Sequence, residues 1–324
     1  MKICSSVAMK INAVSIFCGL TYCCSSSVGA ETVRLLELDW SSQRVLTHVL
    51  AEILESKHVD TEVITIPSTP QWMYLSTGKA DIQVEVWEGS MGPQYQELLD
   101  KSLIEEGTTH QAKTREEWWY PDYVESLCPG LPDWEALESC FSVFAEEGEQ
   151  VGTFYTGPWE KPDNARIRAL NLNFKVVVLP TGQAINQKIH QYVRDKKPLL
   201  IFNWTPNWVE SVYSGSFIEF PTYTHECEKD PSWGSNPKYL WDCGNPSGGW
   251  LKIAISNQLK SRSQCAYDVV QRFQLNNRDI ALAATLVDVE HFDVKGAAKT
   301  WIERNSKYVC LLYTSDAADD LYRV

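Results

Sequence analysis

Val33-Arg34-Leu35-Leu36-Glu37-Leu38-Asp39-Trp40-Ser41-Ser42 is the stretch on which the fold turns. Its first six positions are largely apolar and read as a short strand, and the polar turn after it carries a tryptophan. Beyond the turn, Val45, Leu46, Val49, Leu50, Ile53 and Leu54 recur at i, i+3/i+4 spacing, which predicts an amphipathic helix with serine available as its cap. Residues 62–66 read as a second strand, 70–77 as a short helix, and 82–86 as a third strand ending at Trp87. The order strand, helix, strand, helix, strand implies a parallel sheet.

The middle of the chain repeats the scheme. Strands are expected at 150–155, 175–179 and 198–202, with helices at 164–170 and around Ile185, Ile189, Tyr192 and Val193. A second α/β unit therefore sits inside the first, entered near 116–120 and left near 249–253. The return segment 252–256 and helices near 267–273, 280–285 and 297–304 complete the first unit. The expected division is 31–116 and 253–309 for lobe I and 117–252 for lobe II. Two crossings form a hinge, and the central cleft between the lobes is the natural ligand site.

The chain has 324 residues, 29 Lys+Arg against 42 Asp+Glu, and a formal charge of −13. That balance argues against nucleic acid, which demands a basic face. With 44% hydrophobic and 22% charged residues, the composition excludes a disordered chain and a multispan membrane protein. Residues 1–30 read as a signal peptide: Lys2 and Lys10, an apolar run over 11–20, then Val28-Gly29-Ala30 before Glu31. The run is shorter than the ~20 residues that span a bilayer, and Tyr22 makes Cys23 a poor lipoprotein site. Export to the periplasm follows. At the other end, residues 310–324 lack periodicity and read as a non-native tail. Removing the leader leaves Cys128, Cys140, Cys227, Cys243, Cys265 and Cys310. An oxidising compartment favours disulfides, with Cys128–Cys140 and Cys227–Cys243 as candidates, the connectivity staying open. A zinc site through His225, Cys227 and Cys243 is disfavoured, because no C-x-x-C pair or second histidine accompanies them. No metal or cofactor is expected.

Thirteen tryptophans are more than a core of this size needs. Trp72, Trp134 and Trp301 lie at helical spacing and are expected in the core. Trp40, Trp87, Trp159 and Trp204 instead fall at or just past predicted strand ends, the edge at which open α/β sheets bind ligands. Several indoles in a cleft suit a methylated cation held by cation–π contacts, or a stacked sugar. A carboxylate on the guest would want backbone N–H donors, which Gly157 through Asn164 could supply.

Asp39-Trp40-Ser41, Val84-Glu85-Val86-Trp87, Trp119-Tyr120-Pro121-Asp122-Tyr123-Val124, Gly157-Pro158-Trp159, Trp204-Thr205-Pro206-Asn207-Trp208 and Cys243-Gly244-Asn245-Pro246-Ser247-Gly248-Gly249-Trp250 occur in that order. Together they resemble the glycine betaine/proline betaine substrate-binding proteins of ABC transporters, a family that includes choline and related onium binders. The resemblance implies a type II periplasmic binding protein, α/β and two-lobed, each lobe a mainly parallel sheet flanked by helices. Its guest would be a methylated onium such as glycine betaine, proline betaine, dimethylsulfoniopropionate or trimethylamine N-oxide, passed to a permease in the inner membrane. Carried over by position, Trp87 and Trp204 match the family's cage, Trp40 and Tyr120 the choline-type members, and Trp159 the betaine-type members. Asp39, Glu85, Trp119, Gly157 and Trp208 form a second tier. Ser42 stands where choline-type members carry an acid, which speaks against choline, and Asn207 replaces a common histidine. A monomer is expected.

Glu85 and Glu88 flank Trp87 and are expected to be solvated surface acids. A secreted carbohydrate-binding protein or a glycosidase is the alternative, because two acids beside an indole platform mimic such a site. Strand alternation puts Glu85 and Trp87 on one face and leaves Glu88 beyond the strand, so no paired geometry follows. No G-x-S-x-G elbow or phosphate loop is present, and the chain is not expected to be an enzyme. A receptor-linked sensor is a third possibility, and the absence of any fused kinase favours a free binding component.

Overall fold

A computed structural model of the chain describes residues 31–159 and 161–313. The expected signal peptide and residues 314–324 of the expected tail lie outside them. Eleven strands are described: β1 Val33–Glu37, β2 Thr61–Thr65, β3 Ile82–Trp87, β4 Ile104–Thr109, β5 Thr114–Pro121, β6 Gly152–Thr156, β7 Phe174–Val178, β8 Ile201–Thr205, β9 Gly215–Phe217, β10 Ser247–Gly249 and β11 Leu251–Ser256. They form two sheets, ordered β2-β1-β3-β11-β4 and β10-β5-β8-β6-β7, with β9 paired to β5.

Each sheet is parallel where the sequence carries strand–helix–strand units and antiparallel where the chain crosses over. In the first, β1 runs parallel to β2 and β3, while β11 is antiparallel to β3 and β4. In the second, β6 runs parallel to β7 and β8, while β5 is antiparallel to β8 and β10. The chain leaves the first sheet at Thr109, enters the second at Thr114, and returns between Gly249 and Leu251. The outward crossing is therefore a few residues earlier than the sequence suggests. It is pinned rather than loose: Lys113 N–H donates to Asn277 Oδ1, and Asn277 Nδ2 donates back to the Lys113 carbonyl. His110, buried, sits between the Val84 carbonyl and the Leu275 N–H.

Helix Ser41–Ser56 buries Val45, Leu46, Val49, Leu50, Ile53 and Leu54, the face its periodicity predicts, against helices Asn277–Asp288 and Val294–Arg304. Helix Asn277–Asp288 starts at a reciprocal capping box between Asn276 and Asp279. Serine does not cap Ser41–Ser56. Trp40 occupies the cap position, while Ser41 donates to Asp288 and Ser42 to Glu85. Both hydroxyls serve tertiary contacts instead.

The two candidate disulfides are present, Cys128–Cys140 and Cys227–Cys243, with Cα separations of 5.4 and 6.3 Å. Trp301 is fully buried, whereas Trp72 and Trp134 are half-buried at the edge of the core. Helix Ser306–Tyr313 runs across the expected start of the tail and buries Val309 and Leu312. Among the described residues, no helix is long and apolar enough to cross a membrane.

Candidate functional site

Four indoles scattered along the chain meet in one pocket. The first sheet supplies Trp40, in the turn after β1, and Trp87, the last residue of β3. The second supplies Trp159, three residues past β6, and Trp204, within β8. Ser90, Met91, Glu116 and Phe202 complete the lining. Trp159 is the hub. Its ring stands edge-on to Trp40 at 6.3 Å and to Trp204 at 5.4 Å between centroids, with interplanar angles of 86° and 85°. Phe202 lies 5.7 Å from Trp159 and 5.8 Å from Trp204. Mutually perpendicular rings present faces from several directions, which suits a compact cation better than a flat sugar.

An indole N–H is a donor without acceptor capacity, so buried indoles need acceptors. Glu85 Oε2 accepts from Trp40 Nε1 at 2.6 Å, from Trp87 Nε1 at 3.1 Å and from Ser42 Oγ at 3.0 Å. Asp39 Oδ1 accepts from Trp159 Nε1 at 3.2 Å. Both second-tier acids thus orient rings. Glu85 is fully buried, and the expectation of a solvated acid is corrected. The reason lies in the packing: all six positions of β3 are buried, because helices Ser41–Ser56, Gln71–Ser76 and Glu88–Asp100 pack against it and neither of its faces meets water. Burial raises the Glu85 carboxyl to about 7 against the pull of its three hydrogen bonds. Glu88, half-buried, accepts the Trp250 N–H at 2.9 Å. One acid is sealed behind indoles and the other is held by backbone, so they do not form a carboxylate pair at the cage.

Glu116, in the cage lining, forms an ion pair with Lys161 of the adjoining cleft, Nζ to Oε1 at 2.8 Å, with side chains only 5% and 2% exposed. The ammonium also lies 4.5 Å from the Phe202 ring centroid, and Glu116 Oε2 has no hydrogen-bond partner among the described residues. Sequence reading misses Glu116, which it places at the crossing between lobes. Only the antiparallel register, which sets Glu116 opposite Trp204, brings it to the cage. Phe202 does carry a sequence signal. Because β8 runs through Thr205, Phe202 and Trp204 are i, i+2 neighbours on one face.

Tyr120 is not brought to the cage. It lies four residues along β5 from Glu116, about 13 Å at strand rise, fully buried, with its hydroxyl donating to Glu125. Trp119 packs instead under Gly215, where a Cβ would come within 2.0 Å of its ring. Trp208 is fully buried, stacked on His190 at 4.3 Å, with its Nε1 lacking an acceptor. Asn207 serves the backbone, accepting from Trp208 N–H and donating to Asn203. Gly157 does not line the pocket, but a Cβ there would sit 2.3 Å from the Trp159 ring. Its missing side chain is what lets Trp159 fold back. Beside the cage, and sharing Ser90 with it, a larger cleft is bordered by Lys161, Tyr223, Trp241 and Trp250. Among the described residues, no group of three or more His, Cys, Asp or Glu could hold a metal ion.

Residues 31–304 match the family described as the substrate binding domain of ABC-type glycine betaine transport systems. The chain is 29% identical over 314 residues to a trimethylamine N-oxide-binding protein of Pelagibacter ubique (strain HTCC1062), covering 94% of this chain and 96% of that protein. Among solved structures it resembles lactococcal OpuAC in a closed conformation with glycine betaine, at TM-score 0.63 and 18% identity, over 88% of this chain and 100% of that one. It also resembles an ABC-transporter choline-binding protein with choline, at TM-score 0.67 and 14% identity, over 86% and 90%. The expected two-sheet α/β fold of type II periplasmic binding proteins is borne out by these likenesses.

Proposed function

The chain belongs to the family of substrate-binding domains of ABC-type glycine betaine transport systems, and from that premise we propose that it captures a small methylated onium in the cage of Trp40, Trp87, Trp159 and Trp204. The observation that carries this reading is the two-plus-two origin of the indoles, one pair from each sheet. A guest seated among them bridges the sheets, so its affinity for the closed arrangement draws the two lobes together about the crossings near 110–113 and Trp250. Each desolvated cation–π contact contributes up to about 2 kcal/mol. Four rings then reach the ~8 kcal/mol of micromolar binding without an ion pair to the cation.

The guest's other end meets the Glu116–Lys161 pair. In this reading a zwitterion rests its methylated head on the rings and its oxygen on the Glu116 side, where Lys161 neutralises the carboxylate from the neighbouring cleft. The trimethylamine N-oxide-binding relative favours the smallest of the oniums, trimethylamine N-oxide, over proline betaine. The loaded protein would dock on an inner-membrane permease, in keeping with export through a cleaved leader. Titration of intrinsic tryptophan fluorescence with trimethylamine N-oxide, glycine betaine, dimethylsulfoniopropionate, choline and an oligosaccharide tests the reading, with and without 1 M salt to separate the cage from screened surface attraction. Saturable responses to the oniums that survive salt support it. A response to the oligosaccharide alone overturns it.

A further inference from the structure

We propose that Glu85, which no ligand need touch, is the charged back wall of the cage: one of its oxygens sets the orientation of Trp40 and Trp87, and its negative charge strengthens their hold on a cation. The inference rests on the onium reading above and deepens it.

The geometry is specific. A single oxygen, Oε2, collects both indole N–H groups and the Ser42 hydroxyl. The two rings come from different elements, one at the start of helix Ser41–Ser56 and one at the end of β3. A common acceptor is what fixes their mutual angle, since turning either ring strands a buried donor. The carboxylate sits at the N–H edge of both rings, and in a water-poor site its charge is little screened from a cation on their faces. Hydrogen bonding to an anion also pushes electron density into both rings, whose faces attract the cation.

The other oxygen makes the device titratable without dismantling it. Glu85 Oε1 is buried and has no hydrogen-bond partner among the described residues. A proton taken up there leaves Oε2 free to accept its three bonds, so protonation removes the charge and keeps the cage shape. With the carboxyl raised to about 7 by burial, the charge is present in slightly alkaline water and absent in mild acid. A bound cation favours the ionised form, so capture releases part of a proton near neutrality and weakens as pH falls.

Other titratable groups surround this one. His110, on the far side of Val84, is held neutral by burial, down to about 4. Asp288, behind Ser41, is raised to about 6. Asp39 holds Trp159, Glu116 is paired with Lys161, and Glu88 and Lys252 border β3. Assignment of the pH effect to Glu85 therefore rests on variants.

The experiment measures Kd for glycine betaine, whose own charges do not change between pH 5.5 and 8.5, by tryptophan fluorescence across that range. Calorimetry in two buffers of different ionisation enthalpy reports proton release. The wild type is expected to weaken by about tenfold from pH 8.5 to 5.5 and to release protons near pH 7. Glu85→Gln is expected to bind at all pH values about as weakly as the wild type does at pH 5.5. Ser42→Ala keeps the carboxylate but removes one donor, and so moves the midpoint to higher pH; it serves should Glu85→Gln fail to fold. A wild type that binds with no pH dependence, or a pH dependence unchanged in Glu85→Gln or unmoved in Ser42→Ala, overturns the charged wall and leaves the onium cage intact. A wild type that binds no onium overturns the cage itself.

Discussion

Trp159 stands edge-on to Trp204 across 5.4 Å, at an interplanar angle of 85°, and both come from the second sheet's side of the pocket while its other two indoles, Trp40 and Trp87, come from the first. A pair set at right angles offers one face and one edge toward the same volume. The face of Trp204 is held by β8, but Trp159 sits in a turn, and its position depends on contacts from both sheets: Trp40 and Asp39 after β1, and Phe202 and Trp204 in β8.

Removing either ring tests this arrangement. Trp204→Ala deletes one cation–π face, worth about 2 kcal/mol or roughly 30-fold in Kd. Trp159→Ala is expected to cost more, because Trp40 and Trp204 both lose their edge partner. Isothermal titration calorimetry with trimethylamine N-oxide gives both values, and an equal or smaller loss for Trp159→Ala would show that its hub position carries no weight.

Gly157→Ala places a methyl where the Trp159 ring lies, 2.3 Å from its nearest atom. The ring must swing out of the cage. The expected result is a loss of onium affinity approaching that of Trp159→Ala, with thermal stability changed little, since the turn is at the pocket edge. Fluorescence titration and a thermal melt on the same sample separate the two effects.

Lys161→Gln addresses selectivity. Removing the ammonium leaves the buried Glu116 carboxylate facing the cage without its partner, which costs stability in the way any unpaired buried charge does. Binding of glycine betaine is expected to weaken, because its carboxylate now meets an anion. Tetramethylammonium, with no anionic end, is expected to bind tighter. The ratio of the two Kd values is the readout, and a ratio equal to that of the wild type would remove Lys161 from the recognition of the guest's oxygen.

Much of this is legible in the sequence because it follows from short-range pattern. The strand–helix–strand order from Val33 to Trp87 locates the first sheet's parallel half, and strand-end tryptophans pick out all four indoles that meet. What escapes depends on long-range pairing. Nothing near Glu116 announces that β5 lies antiparallel to β8, and so its proximity to Trp204 is invisible. Glu85 misleads for a related reason: an acid on a strand reads as solvent-facing until helices pack over the strand and bury every one of its side chains. Motif position draws Tyr120 toward the cage, while strand rise carries it away from the pocket.

Trp208 gives a prediction of the opposite sign. Its indole is fully buried against His190 and Tyr213, and its N–H finds no acceptor. A stranded donor costs about 1–3 kcal/mol, which phenylalanine avoids at the expense of some lost ring area. Trp208→Phe is expected to leave onium binding at the wild-type value and to change the melting temperature little or raise it. A marked fall in affinity would return Trp208 to the binding machinery.

The ligand-free protein should show two opposed pH dependences of stability that nearly hide each other. Burial raises Glu85 from 4.5 to about 7, so between those values the folded state holds a proton that the unfolded chain has released. Stability from this group therefore falls as pH rises through that window, by roughly 3 kcal/mol in all. Burial lowers His110 from 6.5 to about 4, so between those values the unfolded chain holds the extra proton. Stability from this group rises with pH over the same two units or so, by a similar amount. Chemical denaturation of the wild type between pH 4.5 and 6.5 is expected to show little net slope from the pair. Glu85→Gln uncovers the histidine, and its stability should climb with pH relative to wild type. His110→Gln uncovers the carboxyl, and its stability should fall. Since a glutamine side chain in place of His110 offers a donor for the Val84 carbonyl and an acceptor for the Leu275 N–H, the comparison alters charge while preserving both hydrogen bonds. Divergence of the two variants from wild type in the same direction would show that one of the two buried groups has been given the wrong charge state, and reversal of both slopes would show that both have.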